Sequence, residues 1–338
     1  MRCGNRTEVT TVSARELDGA GITGPERVGY LVAARLLAAK AKARGAPPVV
    51  RHLIPPHKRP YLELLFAFIT YLDDIIDDPA RSVDLRLRRL DDLRVAFAAA
   101  FDGDRSPFAG LQGEKRIHAA LARSVAHFLH TWELPPEEVL AYLDFQQDVL
   151  EQTSFPTFET LEKGYLDPMA PPPRWANQIL GPRTADSDTL CHNATRAFLL
   201  IDFLWDLRED MELGRLYLPL DQLARFGLDR ESVERQLARG PLSDALCELI
   251  LFEARRAGEL LASAMDWPST VDVTSRPFVE WDLAINGLKL AELRKGRLDE
   301  LVRRRTPSGE FTVKALARTG LGLARALRTR REPRAGLR

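Results

Sequence analysis

The chain has 338 residues, 45% of them hydrophobic, which is enough core for one large helical domain or two ordinary ones and excludes disorder along its whole length. Its 48 basic and 48 acidic side chains cancel, so there is no global electrostatic case for a nucleic-acid partner and any charge-driven function must be local. Cys3, Cys191 and Cys247 are too few and too scattered for a disulfide framework or a thiolate metal site, which points to a reducing, cytoplasmic setting.

Residues 1–20 read as a polar, mobile lead-in with no apolar export signal. At its end, Gly19-Ala20-Gly21-Ile22-Thr23-Gly24 has the G-x-G-x-x-G spacing but follows no strand, so it marks a helix start and not a dinucleotide site. Apolar residues then recur at helical spacing, first as Val28, Leu31, Val32, Leu36 and Leu37, then as Leu62, Leu65, Phe66, Ile69, Leu72, Ile75 and Ile76. His52 and His57 flank the approach to this second run, and His127 and His130 lie three apart on a later one without a third ligand, which reads as ordinary helix histidines and not a zinc site. Gln147 and Asp148 are either cavity-lining groups or a hydrogen-bonded polar face.

Proline and glycine clusters at 46–48, 55–56, 102–103, 135–136, 168–173, 181–182 and 306–309 separate the helical runs. An all-α chain of about eight to eleven helices is predicted, with one domain over 21–312 and a basic helix or tail over 313–338. The seven arginines from Arg318 to Arg338 read as a solvated last helix in preference to a lipid- or phosphate-binding one. No run approaches the roughly 20 apolar residues of a membrane span, so stable membrane insertion is not expected; the oligomeric state is left open.

The chemistry concentrates in two acidic clusters. Tyr71-Leu72-Asp73-Asp74-Ile75-Ile76-Asp77-Asp78-Pro79 sets four carboxylates at the end of an apolar helical run. Asp73 and Asp77, four apart, share one helix face beside the stripe of Leu72, Ile75 and Ile76. Asp202, Asp206 and Asp210 repeat the four-residue step inside a second apolar helix. Taken alone, the first cluster favours a cation site, with a solvated acidic helix end as the alternative. Together, two such helices facing each other would make a cavity whose repulsion a hard divalent cation removes, and Mg²⁺ sharing its ligands with a diphosphate suits oxygen-only donors. Lys58, Arg59, Arg208, and Arg215 with Tyr217 are candidate diphosphate donors, each of which could instead be a surface residue.

These residues resemble the squalene/phytoene synthase family. The resemblance runs from about Val28 to beyond Arg305 and rests on the two aspartate helices, Leu53-Ile54-Pro55-Pro56-His57-Lys58-Arg59, and Arg208-Glu209-Asp210 leading into Gly214-Arg215-Leu216-Tyr217-Leu218-Pro219-Leu220. Phe252-Glu253-Ala254-Arg255-Arg256-Ala257 and Arg276-Pro277-Phe278-Val279 add to it. It implies the all-α class I isoprenoid synthase fold, a single-domain helical bundle with a central cavity between the aspartate-bearing helices. It also implies Mg²⁺ held by Asp73 and Asp77 and by Asp206 and Asp210, and ionisation of an allylic prenyl diphosphate.

The chain departs from the family pattern at three places. Thr70 stands where an arginine usually precedes the first motif by three residues. Leu199, Asp202 and Trp205 stand where the second motif usually reads Gln-x-x-Asn-x-x-Arg-Asp. Gly164 to Pro173 replaces a Tyr-Cys-Tyr segment, and its prolines exclude the same helix. Because these losses fall where a second prenyl diphosphate would be held, the expected reaction is prenyl transfer from dimethylallyl diphosphate to a small aromatic acceptor. The pattern resembles the squalene-synthase-like carbazole prenyltransferases of carquinostatin- and neocarazostatin-type pathways. Phe66, Tyr71, Phe198, Phe203 and Trp205 flank the motifs as candidates to shelter an allylic cation, or are plain core. Asp202, Asp167 or the released diphosphate would take the ring proton, and Asp202 could equally be a third metal ligand. The alternatives are a head-to-head squalene- or phytoene-type synthase, a terpene cyclase, and a noncatalytic prenyl-diphosphate-binding protein.

Overall fold

The computed structural model describes residues 12–43, 48–103, 110–303 and 307–331. Among them there are fifteen α-helical segments and no strand, only the isolated bridges Ser154 to Leu216 and Pro182 to Val271. Eleven of the helices have ten residues or more, the number at the upper end of the expected range, and the other four have four to six. The short ones make fewer than two turns, too few for a 3.6-residue pattern to stand out. No helix among the described residues is long and apolar enough to cross a membrane. Cys3, Arg305, Arg334 and Arg338 lie outside the described residues; Cys191 is buried and Cys247 half-buried, both as free thiols.

The helices group into two compact units, residues 1–140 and 141–338. In the first unit, α1 (Ala14–Gly19) is followed by α2 (Glu26–Ala43), a 3₁₀ turn (Pro48–Leu53), α3 (Arg59–Ile76), α4 (Val83–Phe101) and α5 (Gly113–Thr131). Helix α3 is the centre of this unit. Pro60 pre-sets its first turn, and Leu62, Leu64, Leu65, Ala67, Phe68, Leu72 and Ile75 are at most 2% exposed. Burying each of the larger of these side chains contributes roughly 1.5–3 kcal/mol.

Residues 13–20 belong to the expected mobile lead-in, but they are ordered as α1 and its caps. Ser13 and Glu16 form a reciprocal capping box on α1, and Leu17 and Ile22 are buried. Glu16 then receives Arg59 Nη1 at 2.6 Å and Arg51 Nη2 at 3.1 Å, tying α1 to α3. The glycine string follows a helix, with Gly21 and Gly24 at positive φ, so it turns the chain into α2. His127 Nδ1 lies 3.0 Å from the Tyr30 hydroxyl.

Helix α6 (Glu137–Glu151) runs across the boundary into the second unit. There α7 (Phe158–Leu161) passes into a π-helical turn (Glu162–Leu166), followed by α8 (Pro171–Leu180), α9 (Ser187–Trp205) and α10 (Leu207–Glu212). The chain continues through α11 (Leu220–Arg225), α12 (Arg230–Arg239), α13 (Asp244–Ser263), α14 (Arg276–Leu293), a second π turn (Asp299–Arg303) and α15 (Gly309–Arg331). Helix α9 packs on α8, α13 and α14, and α15 packs on α14. The proline cluster breaks the helix at 167–170 but opens α8, since Pro171 and Pro172 occupy first-turn positions that need no amide hydrogen. On α15, Arg325 pairs with Glu280 at 2.5 Å while Val313, Leu316 and Leu327 are exposed.

Candidate functional site

Asp73 and Asp77, and likewise Asp202 and Asp206, sit at the C-terminal end of a long helix, whereas Asp210, expected on the same helix as Asp202 and Asp206, lies in the first turn of α10 because α9 ends at Trp205. Asp77 caps α3, its N–H donating to the Asp73 carbonyl at 2.8 Å. Asp206 caps α9 in the same way, with its N–H 2.8 Å from the Asp202 carbonyl, and the Asp210 N–H donates to the Asp206 carbonyl at 2.9 Å. Neither helix has a basic residue in its last turn. Carboxylates at the negative end of a helix dipole are unfavourable by roughly 0.3–1 kcal/mol each. Both ends are therefore built to receive positive charge from elsewhere.

In the first unit the four carboxylates separate into two roles. Asp74 is ion-paired to Lys40 of α2. Asp78 accepts from Arg81 Nε at 2.7 Å and from the Ala80 N–H at 3.1 Å, closing the turn that follows α3. Asp73 is exposed and Asp77 half-buried, and they keep the shared face that their spacing gives them. Of the neighbouring candidates, Lys58 is buried at the N-cap of α3. Arg59 is also buried, with Nη1 on Glu16 and Nε donating to the Ile54 carbonyl at 2.9 Å. Tyr71 points into the core, its hydroxyl 2.9 Å from His118 Nε2, and burial pushes its pKa up to about 12. Phe66 is 41% exposed.

In the second unit Asp202, Asp206 and Asp210 are each half-buried. Asp202 Oδ1 receives Lys289 Nζ of α14 at 2.6 Å. Trp205 turns toward the same neighbour: its indole N–H donates to the Lys289 carbonyl at 3.1 Å, and its ring lies 5.4 Å from that of Phe311 on α15. Arg208 pairs with Glu212 at 2.9 Å, and Arg215 is buried, its N–H on the Asp210 carbonyl at 2.8 Å. Tyr217 joins an aromatic group: it stacks on Phe203 with centroids 4.0 Å apart and planes at 7°, and Tyr165 of the π turn meets Tyr217 at 4.8 Å and Phe203 at 5.4 Å. Burial pushes the Tyr165 hydroxyl well above its usual range. Phe198 is half-buried on α9, and Asp167 is exposed with His192 Nε2 3.6 Å from its Oδ1.

Lys289, Tyr165, His192 and Asp282 were not singled out from sequence. Lys289 is the one charge in the apolar run Leu283 to Leu290, which is a readable signal. Asp282, one face-repeat earlier on α14, has its pKa pushed up to about 7 by burial, with Lys289 opposing and Asp202 adding to the shift.

Among the described residues no three His, Cys, Asp or Glu side chains gather into a group that would hold a metal by itself. The donor set nevertheless fits Mg²⁺, which keeps several waters and binds through one or two carboxylates plus substrate phosphates in preference to an all-protein cage. Asp73 with Asp77, and Asp206 with Asp210, are two such pairs.

A profile of the squalene/phytoene synthase family matches residues 47–312. The presqualene diphosphate synthase of Zymomonas mobilis is 29% identical over 204 residues, covering 60% of this chain and 65% of that enzyme, so the match spans just under two thirds of the relative's length. A bifunctional CrtB/UppS protein of Streptomyces coelicolor is 27% identical over 292 residues, 82% of this chain and 47% of its own. In fold, the squalene synthase HpnC of Alicyclobacillus acidocaldarius superposes with a TM-score of 0.65 at 23% identity, covering 82% of this chain and 97% of that one. A dehydrosqualene synthase solved with a ligand gives 0.70 at 17% identity, over 89% of this chain and 99% of its own. With the profile matching most of its length and the all-helical fold in agreement, the chain belongs to the squalene/phytoene synthase family.

Proposed function

We propose that this chain is a prenyltransferase that ionises an allylic diphosphate, dimethylallyl diphosphate, and delivers the prenyl group to an aromatic acceptor, a carbazole of a natural-product pathway. The observation that carries the reading is the contrast where α9 ends and α10 begins. Asp206 and Asp210 keep the family's acid pair, while the position usually held by arginine is Trp205, seated on α14 and α15. A chain that retains the means to ionise a donor and replaces a cation suited to a second diphosphate is better matched to an uncharged acceptor.

Asp73 with Asp77, and Asp206 with Asp210, would hold Mg²⁺, which would supply positive charge to the departing diphosphate. The stacked rings of Phe203 and Tyr217, with Tyr165 edge-on, offer π faces to an allylic cation and keep water from it. A ring carbon of the acceptor then forms the new C–C bond. The ring proton goes to Asp167, whose Oδ1 faces His192 Nε2; Asp202 is already engaged by Lys289.

A second reading, head-to-head coupling of two prenyl diphosphates, is favoured by the names of the relatives above. Mass spectrometry of reactions with dimethylallyl or longer prenyl diphosphates, with and without carbazole, indole or phenolic acceptors, separates the two. A product carrying one prenyl unit, formed only with acceptor, is expected. A hydrocarbon or prenylated diphosphate formed from the donor alone contradicts aromatic transfer and supports the second reading.

A further inference from the structure

The second motif lacks the arginine that its family pattern carries at position 205, yet a cation stands beside that position. Asp202 and Trp205, three apart on α9, both face α14, and three contacts converge there on Lys289. Its carbonyl accepts the Trp205 indole N–H at 3.1 Å, its Nζ lies 5.9 Å from the centre of the Trp205 ring, and Nζ donates to Asp202 Oδ1 at 2.6 Å. The carbonyl bond fixes the start of the side chain and the carboxylate fixes its end. The ring between them supports the ammonium by a cation–π contact. The tryptophan that removes the arginine is thus also the seat of the lysine.

The placement has a direct electrostatic meaning. Asp202 lies about one turn, ~6 Å along the axis, from Asp206, at a helix end that has no basic residue of its own. The ammonium has three donor hydrogens, and the bond to Asp202 uses one. Its side chain keeps 28% of its exposure, so it is neither sealed in the core nor splayed into solvent.

We propose that Lys289 binds the diphosphate of the prenyl donor at the second aspartate motif, a cation delivered from α14, and that Asp202 is its holder and not a metal ligand. The proposal rests on the prenyl-diphosphate reading above and deepens it.

The test is titration calorimetry of inorganic pyrophosphate into the full-length protein with saturating Mg²⁺, for the wild type, Lys289→Ala, Lys289→Arg and Asp202→Asn. Loss of one charged donor should weaken pyrophosphate about tenfold or more in Lys289→Ala. Lys289→Arg should recover most of the affinity, and Asp202→Asn, which keeps the cation and loosens its holder, should lose less than Lys289→Ala. Thermal melts of the same variants report whether each is folded. If Lys289→Ala binds pyrophosphate as the wild type does, or melts lower with affinity unchanged, the pair is a structural clasp between α9 and α14 and the proposal is overturned; a wild type that binds no pyrophosphate also overturns it. Product analysis of the same proteins separates the two claims. Lysine-dependent pyrophosphate binding without any prenylated product leaves this proposal standing and removes the transferase reading. Prenyl transfer unchanged in both rate and pyrophosphate inhibition by Lys289→Ala does the reverse.

Discussion

Arg59 and Glu63 show how one helical turn in α3 combines burial with charge. Arg59 resembles a phosphate donor in sequence because it precedes an acidic helix, but its partner Glu16 is 43 residues away and invisible to local spacing. Two bonds hold its guanidinium on Glu16 and the Ile54 carbonyl. Burial raises the Glu16 carboxyl, but the Ser13 backbone N–H, Arg59 and Arg51 outweigh it and hold Glu16 below the usual carboxylate range. Glu63, also buried, receives Arg51 Nε at 2.6 Å on Oε1, while Oε2 has no hydrogen-bond partner among the described residues. Burial accordingly outweighs Arg51 and pushes the Glu63 pKa up to about 7.

A carboxyl whose pKa is raised on folding stabilises the native state fully below its unfolded value of 4.5, and that contribution is lost as pH rises through about 7. Replacing Glu63 by Gln keeps a neutral polar group there at every pH. The melting temperature of the wild type should therefore fall, relative to that of Glu63→Gln, as pH is raised from 4.5 to 7, with the difference levelling off above 7. Parallel melting curves across that window would place the proton elsewhere.

The aspartates were legible from sequence because a four-residue step is a local property that any helix converts into a shared face. The charge of Lys289 in its apolar run was legible too, but its contact with Asp202 was not, because that depends on how α14 meets α9.

At the scale of elements, the long helices follow from apolar periodicity, while the segments that position the site follow from exceptions to it. The π turn at Glu162–Leu166 is one. Its i to i+5 bond, from the Asp167 N–H to the Glu162 carbonyl at 2.9 Å, sets Glu162 and Asp167 five apart opposite Arg196 and His192, four apart on α9, and each pairs with its counterpart. The inserted residue widens the turn and holds Tyr165 against Phe203 and Tyr217. Nothing in the string Glu-Lys-Gly-Tyr-Leu announces a π turn, since its cause is the register of α9.

Gly29 is a second exception. Helix α2 packs on α5 so closely that a Cβ at Gly29 would meet the Ser124 side chain and lie 2.7 Å from the Ala120 carbonyl oxygen. The Ser124 hydroxyl can rotate away, but the backbone oxygen cannot. Gly29→Ala should therefore destabilise the protein by about 1–3 kcal/mol despite alanine's better helix propensity, measured by urea unfolding. An unchanged or higher midpoint would mean that the two helices separate at little cost.

At the scale of the whole molecule, each of the two compact units contributes one helix ending in carboxylates against its own dipole. The proposed reaction needs both. Removing one carboxylate from either end should relieve repulsion and leave stability equal or slightly higher, while turnover collapses through lost stabilisation of the leaving group. The measurement that bears most directly on this account is release of pyrophosphate from dimethylallyl diphosphate with Mg²⁺ and an aromatic acceptor, compared among the wild type, Asp73→Asn and Asp206→Asn. Both variants should melt at or above the wild-type temperature and release pyrophosphate at least about a hundredfold more slowly, as loss of several kcal/mol of transition-state stabilisation requires. Wild-type rates in either variant would contradict the assignment of both helix ends to diphosphate ionisation.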